Sequence, residues 1–215
     1  MDSRQPETVI VLDFETSGIS PTQGDRAIEI GAVKLCGDRI VERFQSLMNP
    51  GMRISSFIEN YTGITNQMVQ AAPGAAEVMH DFAGFIGNTP LIAHNASFDS
   101  RFLNAELGRI GRSPREKFCC SMLAARRIYP DAPNHKLETL VRYRRLRTEA
   151  VFHRALADAE MTARLWLAMI GDLRAVYGFE TVSFAMMCDL SRVPKNQASG
   201  FLLKQIDREY KSDEI

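Results

Sequence analysis

The fold of this chain is decided by one run of eight residues near its start, Val9-Ile10-Val11-Leu12-Asp13-Phe14-Glu15-Thr16. A short apolar run rich in β-branched residues and followed by Ser17-Gly18 predicts a buried β-strand rather than a helix. Alternate residues of a strand point to the same face, so Asp13 and Glu15 are expected to lie side by side. Two buried carboxylates repel each other unless a cation or a shared proton neutralises them. Taken alone, the pair also fits a solvated strand end before a turn.

The segments that follow predict an α/β fold. Three further strands are predicted, at residues 28–35, 40–47 and 90–93, and residues 118–122 fit one more short strand. The longest helix is predicted to open at 152–158 and to run to about Tyr177, where Gly178 is suited to end it. A strand meander followed by alternating helices and strands indicates a mixed β-sheet flanked by α-helices.

Composition limits the class of protein. With 215 residues, 45% hydrophobic and 24% charged, the chain suits one globular domain. We expect this domain at residues 1–178 and a C-terminal helical extension at 179–215. A formal net charge of zero argues against a charge-driven, histone-like binder. It does not exclude nucleic acid, because an acidic metal site can coexist with basic walls on the same molecule.

Location is predicted from what the sequence lacks. The first residues have no apolar signal-peptide core, and no apolar stretch approaches the roughly 20 residues of a membrane-spanning helix. The four cysteines have no spacing that indicates a zinc site or a disulfide framework. We therefore expect a cytoplasmic protein without a membrane partner.

Acidic residues from three chain regions predict a metal site. Asp13 and Glu15 end a strand, Asp99 opens a helix after a strand, and Asp158 lies in the first turn of the long helix. In open α/β sheets such residues converge at the carboxyl ends of the strands. Carboxylate oxygens suit Mg²⁺, and two such ions about 3.5–4 Å apart form the clamp used in phosphodiester hydrolysis. His153, five residues before Asp158, is placed to take a proton from the attacking water.

Three motifs together resemble those of a known enzyme family. They are Asp13-Phe14-Glu15-Thr16, His94-Asn95-Ala96-Ser97-Phe98-Asp99 and His153-Arg154-Ala155-Leu156-Ala157-Asp158. In this order they resemble the exonuclease motifs of the DEDD family, and the histidine of the third motif is that of the DEDDh branch. This branch includes the proofreading (epsilon) subunit of bacterial DNA polymerase III and exonuclease X. The resemblance implies a ribonuclease-H-like fold and a 3′→5′ exonuclease that releases nucleoside 5′-monophosphates from single-stranded DNA, in proofreading or repair.

The resemblance also implies a role for each residue of the metal site. Asp13 would bridge two Mg²⁺ or Mn²⁺ ions. Glu15 and Asp158 would complete the shell of the ion that carries the water, and Asp99 would hold the second ion. His153 would be the general base.

Contacts with the substrate and with other proteins are implied less directly. Thr16, together with Glu15, would lie near the terminal 3′ hydroxyl, and Phe98 would pack against the terminal nucleotides. Phe98 fits core packing equally well, and His94 is interpreted as support for the site rather than as a ligand. A DNA polymerase or a sliding clamp is a candidate partner, because residues 197–201 resemble the short peptides that dock on the bacterial clamp.

Other functions are compatible with parts of this pattern. An exoribonuclease of the same branch shares every catalytic residue, so the motifs do not separate DNA from RNA. A non-catalytic, polymerase-associated subunit would be expected to have lost an acid or the histidine, and all five are present. A structural Ca²⁺ site would need a loop of closely spaced Asp or Asn ligands, which the sequence lacks. The basic segment 142–147 fits either a phosphate-binding surface or an ordinary solvated face.

Overall fold

The computed structural model describes residues 6–113, 118–147 and 154–212. Its five strands are β1 (Thr8–Thr16), β2 (Ala27–Cys36), β3 (Arg39–Leu47), β4 (Leu91–Ala93) and β5 (Phe118–Cys120). The α-helices of these ranges are α1 (Ser56–Thr62), α2 (Asn66–Ala71), α3 (Ala75–Ile86), α4 (Ser97–Arg109), α5 (Ser121–Ile128), α6 (Leu137–Tyr143), α7 (Ala155–Tyr177), α8 (Phe184–Arg192) and α9 (Ala198–Ser212). None of these helices is long and apolar enough to cross a membrane.

The strands form one mixed sheet in the order β3-β2-β1-β4-β5. β1 to β3 form an antiparallel meander, whereas β1 pairs parallel to β4 and β4 parallel to β5. The predicted mixed α/β sheet is confirmed. β1 is the central strand with helices on both sides, which is why its first residues are an unbroken apolar run.

The two faces of β1 belong to two different cores. Ile10, Leu12 and Phe14 pack with α3 and α4 in one apolar cluster. Val9 and Val11 pack with α5, α7 and α8 in the other. Because the side-chain period of a strand is two, the odd-numbered acids that follow point to the α7 side of the sheet.

The C-terminal segment packs onto this α7 side. Phe184, Met187 and Leu202 from α8 and α9 are buried in the same apolar cluster as Leu165 and Trp166 of α7. The helical character expected for 179–215 is present in the described part of that range, while the domain division at residue 178 stays a prediction.

Candidate active site

Three of the predicted metal ligands meet where β1 ends. Asp13, Glu15 and Asp158 each offer a carboxylate oxygen, and these atoms all lie within 4.8 Å of one another. The first two project from β1 toward α7, and Asp158 lies in the first turn of α7. The arrangement therefore joins acids that are more than 140 residues apart in sequence.

A glycine allows α7 to approach the sheet so closely. Gly31 in β2 is the register partner of Asp13. A Cβ atom on Gly31 would lie 2.0 Å from the Leu156 nitrogen and 2.2 Å from the Ala155 carbonyl carbon. Any larger residue at this position would push the start of α7, and with it Asp158, away from Asp13.

Asp99 borders the group of three rather than belonging to it. It lies in the first turn of α4, is 2% exposed, and its Oδ1 accepts a hydrogen bond of 3.2 Å from the Phe14 N–H. Its charge is among the causes that raise the pKa of Asp13. The predicted role of Asp99, holding a second ion, is compatible with this position and stays a prediction.

Burial and mutual repulsion perturb the acids strongly. Burial, followed by the charges of Asp99, Asp158 and Glu15, raises the pKa of Asp13 well above its ordinary value. Burial and the Asp158 charge raise the pKa of Glu15 to about 8, and burial raises the pKa of Asp99 to about 7. Such carboxyls keep protons near neutral pH unless a cation replaces them. A buried set of oxygen donors of this kind could hold a hard divalent metal ion.

Of the two histidines in the motifs, the structure describes only His94. His153, the predicted general base, lies outside the described residues. His94 donates from Nε2 to the His135 carbonyl at 2.9 Å, and its Nδ1 lies 2.9 Å from the Ser121 hydroxyl oxygen. Burial lowers the pKa of His94 to about 4, so the ring is neutral. Its hydrogen bonds fix the ring in the wall of the pocket, which is compatible with the predicted supporting role.

The predicted substrate contacts are both engaged within the protein. Thr16 is 7% exposed, and its hydroxyl donates to the Gly18 carbonyl at 2.6 Å, closing the turn after β1. The Thr16 hydroxyl proton is thus used within the turn, although its oxygen can still accept a hydrogen bond. Phe98 is half-buried and packs against Phe102, with ring centroids 4.9 Å apart. The roles proposed for both in substrate binding stay predictions.

The structure adds an aromatic pair that the sequence analysis missed. A pocket of about 370 Å³ opens over the acids and is lined by Asp13, Tyr61, His94, Lys136, Leu137, Glu138 and Asp158. Tyr61 stacks on Phe57, one helical turn away in α1, with centroids 6.1 Å apart and planes at 6°. Phe57 is 71% exposed. The four-residue spacing of two aromatics in a predicted helical segment was the available signal.

An ion pair with a buried carboxylate was also missed. Glu29 in β2 is fully buried opposite Glu15 and pairs with Arg154, which precedes α7. The signal was a glutamate in the middle of an otherwise apolar strand, because buried charges in proteins are almost always paired.

Two arginines of the basic segment 142–147 form contacts within the protein. Arg144 pairs with Asp172 at 2.6 Å and lies over the Tyr129 ring, and Arg142 pairs with Glu138. These contacts favour the interpretation of the segment as an ordinary surface rather than a phosphate site.

Comparison with known proteins identifies the family of this chain. The RNase_T family, described as exonuclease, matches residues 10–166, a range that contains all four acids. The chain belongs to the RNase_T exonuclease family. The prediction of an exonuclease domain with a ribonuclease-H-like fold is confirmed.

Relatives of this RNase_T exonuclease include much longer proteins. The DNA polymerase III PolC-type of Bacillus subtilis is 38% identical over 170 residues, which are 78% of this chain and 12% of the relative. The PolC-type protein of Caldanaerobacter subterraneus subsp. tengcongensis is 37% identical over 174 residues, 81% of this chain and again 12% of the relative. The chain therefore spans only a small part of these curated relatives.

Solved structures of similar fold are closer in length to this exonuclease domain. Exonuclease X in complex with 5′ overhanging duplex DNA superposes with a TM-score of 0.68 at 26% identity, covering 85% of this chain and 99% of the other. The nuclease domain of 3′hExo, a DEDDh family member bound to rAMP, has a TM-score of 0.68 at 22% identity, covering 80% and 95%. At that lower identity the likeness supports the fold alone.

Proposed function

We propose that this chain is a metal-dependent 3′→5′ exonuclease that hydrolyses single-stranded DNA and releases nucleoside 5′-monophosphates. The observation that carries the proposal is the meeting of Asp13, Glu15 and Asp158 within 4.8 Å, on the floor of an open pocket and beside Asp99. Acids buried in this way repel one another, which favours a site that is completed by cations.

The proposed cofactor is a pair of Mg²⁺ or Mn²⁺ ions. Asp13, Glu15, Asp99 and Asp158 would hold them, and His153 would accept the proton of the attacking water. When bound, the ions would supply an activated water and neutralise charge on the scissile phosphate. The acids of this chain would hold the ions at the point where β1 ends and α7 begins.

The proposed substrate polarity depends on the turn after β1. The Thr16 backbone and Glu15 lie at the end of β1, and a terminal 3′ hydroxyl can donate a hydrogen bond to a carboxylate there. A 3′ phosphate cannot donate when ionised, and it would add negative charge beside the acids. The aromatic pair, Phe57 and Tyr61, offers a flat surface on which unpaired bases could stack.

Two observations bear on the choice between DNA and RNA. The relatives reported above include PolC-type DNA polymerases, and exonuclease X was solved with DNA, which favours DNA. An exoribonuclease that trims RNA ends is retained as the second candidate, because it would use the same acids and the same histidine. A non-catalytic, polymerase-associated subunit is the weakest alternative, since the four acids are retained.

Partners and location belong to the same proposal. A polymerase partner is suggested by the PolC-type relatives. The clamp-like run 197–201 spans a 3₁₀ turn and the start of α9, and Phe201 packs against the core, so docking on a clamp would require this end to rearrange. A cytoplasmic location is proposed on the four free cysteines, which suit a reducing compartment.

The proposal is tested with 5′-labelled oligonucleotides of matched DNA and RNA sequence, in Mg²⁺ or Mn²⁺. We expect shortening from the 3′ end, faster on DNA, slow on a 3′-phosphorylated strand and indifferent to a 5′ phosphate. Circular single strands should resist. Nicking of circles at the rate of linear digestion, or full activity in excess EDTA, would contradict the proposal.

A further inference from the structure

The buried carboxylate of Glu29 joins three elements beside the site. Arg154 donates to it twice, from Nε to Oε2 at 3.1 Å and from Nη2 to Oε1 at 2.8 Å. The Gln45 amide in β3 donates to Oε1 at 2.9 Å, and the Ala155 backbone N–H donates to Oε2 at 3.1 Å. The carboxylate thus accepts four hydrogen bonds, which fills about all of its acceptor positions.

One of these bonds caps a helix. Ala155 is the first residue of α7, and the first N–H groups of any helix have no acceptor within it. Arg154, the described residue that precedes α7, makes no capping hydrogen bond with its own side chain. Glu29 replaces that cap from the neighbouring strand, and its negative charge suits the positive end of the helix dipole.

The capped turn is the one that carries an acid of the site. The Asp158 N–H donates to the Arg154 carbonyl at 3.0 Å, so both residues belong to the same turn. Arg154 also follows directly after His153 in the sequence. An ion pair with a buried partner is weak evidence for stability, and the better attested use of such pairs is to select one geometry among several.

We propose that Glu29 and Arg154 are positioning residues that set the first turn of α7 relative to β1. By holding this turn they keep Asp158 at the distance from Asp13 and Glu15 that a shared metal ion needs. The inference rests on the proposed exonuclease function. It can be tested by Mn²⁺ affinity and by amide hydrogen exchange at the start of α7, neither of which depends on catalysis.

A second arginine–glutamate pair with a buried glutamate serves as a matched control. Glu106 in α4 is 1% exposed and accepts two hydrogen bonds from Arg26, at 2.8 and 2.9 Å, and one from the Ala27 backbone N–H at 3.2 Å. This pair has the same chemistry as the Glu29–Arg154 pair, but it does not hold α7. Losing it should cost stability without moving Asp158.

The experiment compares Glu29→Gln, Arg154→Lys and Glu106→Gln in the full chain. Mn²⁺ affinity is measured by calorimetry, amide hydrogen exchange in the first turn of α7 by mass spectrometry, and kcat and KM on a single-stranded oligonucleotide. We expect the Glu29 and Arg154 variants to lose about 10- to 100-fold in Mn²⁺ affinity and in kcat, the usual cost of removing a partner that orients metal ligands. Their KM should change little, and exchange should accelerate at the start of α7. The Glu106 variant should lose thermal stability while keeping Mn²⁺ affinity.

Equal loss of metal binding in the test and control variants would overturn the inference. Equal Mn²⁺ affinity in the Glu29 and Glu106 variants, measured on folded protein, would show that the pair has only a structural role. If Glu29→Gln does not fold, the Mn²⁺ affinity of Arg154→Lys is compared with that of Glu106→Gln instead. Arg154→Lys is the milder change, because it leaves the Glu29 carboxylate that caps Ala155 in place. An inactive wild type that still binds Mn²⁺ would contradict the proposed function, whereas the binding and exchange results would still test the positioning role.

Discussion

Gly31 in β2 lies directly against the backbone of Leu156 at the start of α7, so closely that a Cβ atom on the glycine would lie 2.0 Å from the Leu156 nitrogen. Because Gly31 is also the register partner of Asp13, this contact sets the approach of Asp158 to the first strand. The metal site thus depends on a residue that carries no functional group.

The first prediction is that Gly31→Ala damages both stability and activity. The extra methyl meets backbone rather than a flexible side chain, so relief requires α7 to shift, at a cost of about 1–3 kcal/mol of unfolding free energy or more. Urea unfolding and exonuclease rate are the measurements. The control is Gly171→Ala in the same helix, where an added Cβ meets nothing within 4 Å. There, stability should be unchanged or rise by a few tenths of a kcal/mol to about 1 kcal/mol. A Gly31→Ala protein as active as the wild type would contradict the close packing described.

The second prediction concerns the acids themselves. Asp13→Asn and Asp158→Asn should each abolish metal-dependent hydrolysis, because each removes a charged oxygen ligand. The apo forms should melt at or above the wild-type temperature, since removing one charge relieves repulsion. Rates in Mg²⁺ and melting in EDTA are compared with those of Asp189→Asn, a residue exposed on α8 that should behave as wild type. Retention of most activity by Asp158→Asn would exclude it as a metal ligand.

The third prediction is a dependence of apo stability on pH. The folded-state pKa values of about 8 for Glu15 and about 7 for Asp99 lie above the ordinary values of 4.5 and 3.8. Between these limits the folded chain binds more protons than the unfolded chain, so the free energy of unfolding falls as pH rises. In EDTA the melting temperature should therefore decrease from about pH 5 to pH 8.

Divalent metal should reverse this trend, because it binds the deprotonated acids. Added Mn²⁺ is expected to raise the melting temperature more at pH 8 than at pH 5.5. Glu15→Gln serves as the control, since its EDTA profile should be flatter. An EDTA profile that rises across the same range would show that the acids are not protonated in the folded apo protein.

The fourth prediction concerns the aromatic pair in α1. Phe57→Ala and Tyr61→Ala should raise KM for single strands, because stacking on an aromatic ring contributes about 1–3 kcal/mol per base. Phe57→Trp should retain binding. Val176→Ala removes a comparably exposed apolar side chain, 73% exposed on α7, and should leave KM unchanged. Steady-state kinetics on poly-dT of fixed length is the measurement, and an unaltered KM in both aromatic variants would remove this surface from the substrate path.

The fifth prediction is that His153→Ala lowers turnover by roughly 10²–10⁴-fold, the usual contribution of a positioned general base. The affinity for a single-stranded oligonucleotide in Ca²⁺ should be nearly unchanged, because the acids and the pocket remain. His94→Gln is the informative comparison, since this neutral ring braces the wall and its loss should affect stability more than the shape of the pH–rate profile. Near-normal turnover of the His153 variant at pH 7 would assign the base elsewhere.

The sequence by itself determined the class of fold and the identity of the acids. The apolar run before Asp13, the alternation in β2 and β3 and the long helix to Tyr177 are local patterns, set by whether neighbouring side chains share a face. The spacing of acids within motifs is equally local, so Asp13, Glu15, Asp99 and Asp158 were identified without coordinates.

Only the tertiary structure decided how these parts meet. That Asp158 joins Asp13 and Glu15 while Asp99 lies beside them depends on which face of β1 each helix covers. The cap from Glu29 to Ala155 and the contact at Gly31 link residues about 125 positions apart, for which no sequence periodicity exists. Local sequence patterns indicate which side of a helix or strand is buried. Which distant element covers that side is decided by tertiary packing, and this packing sets the geometry of the site.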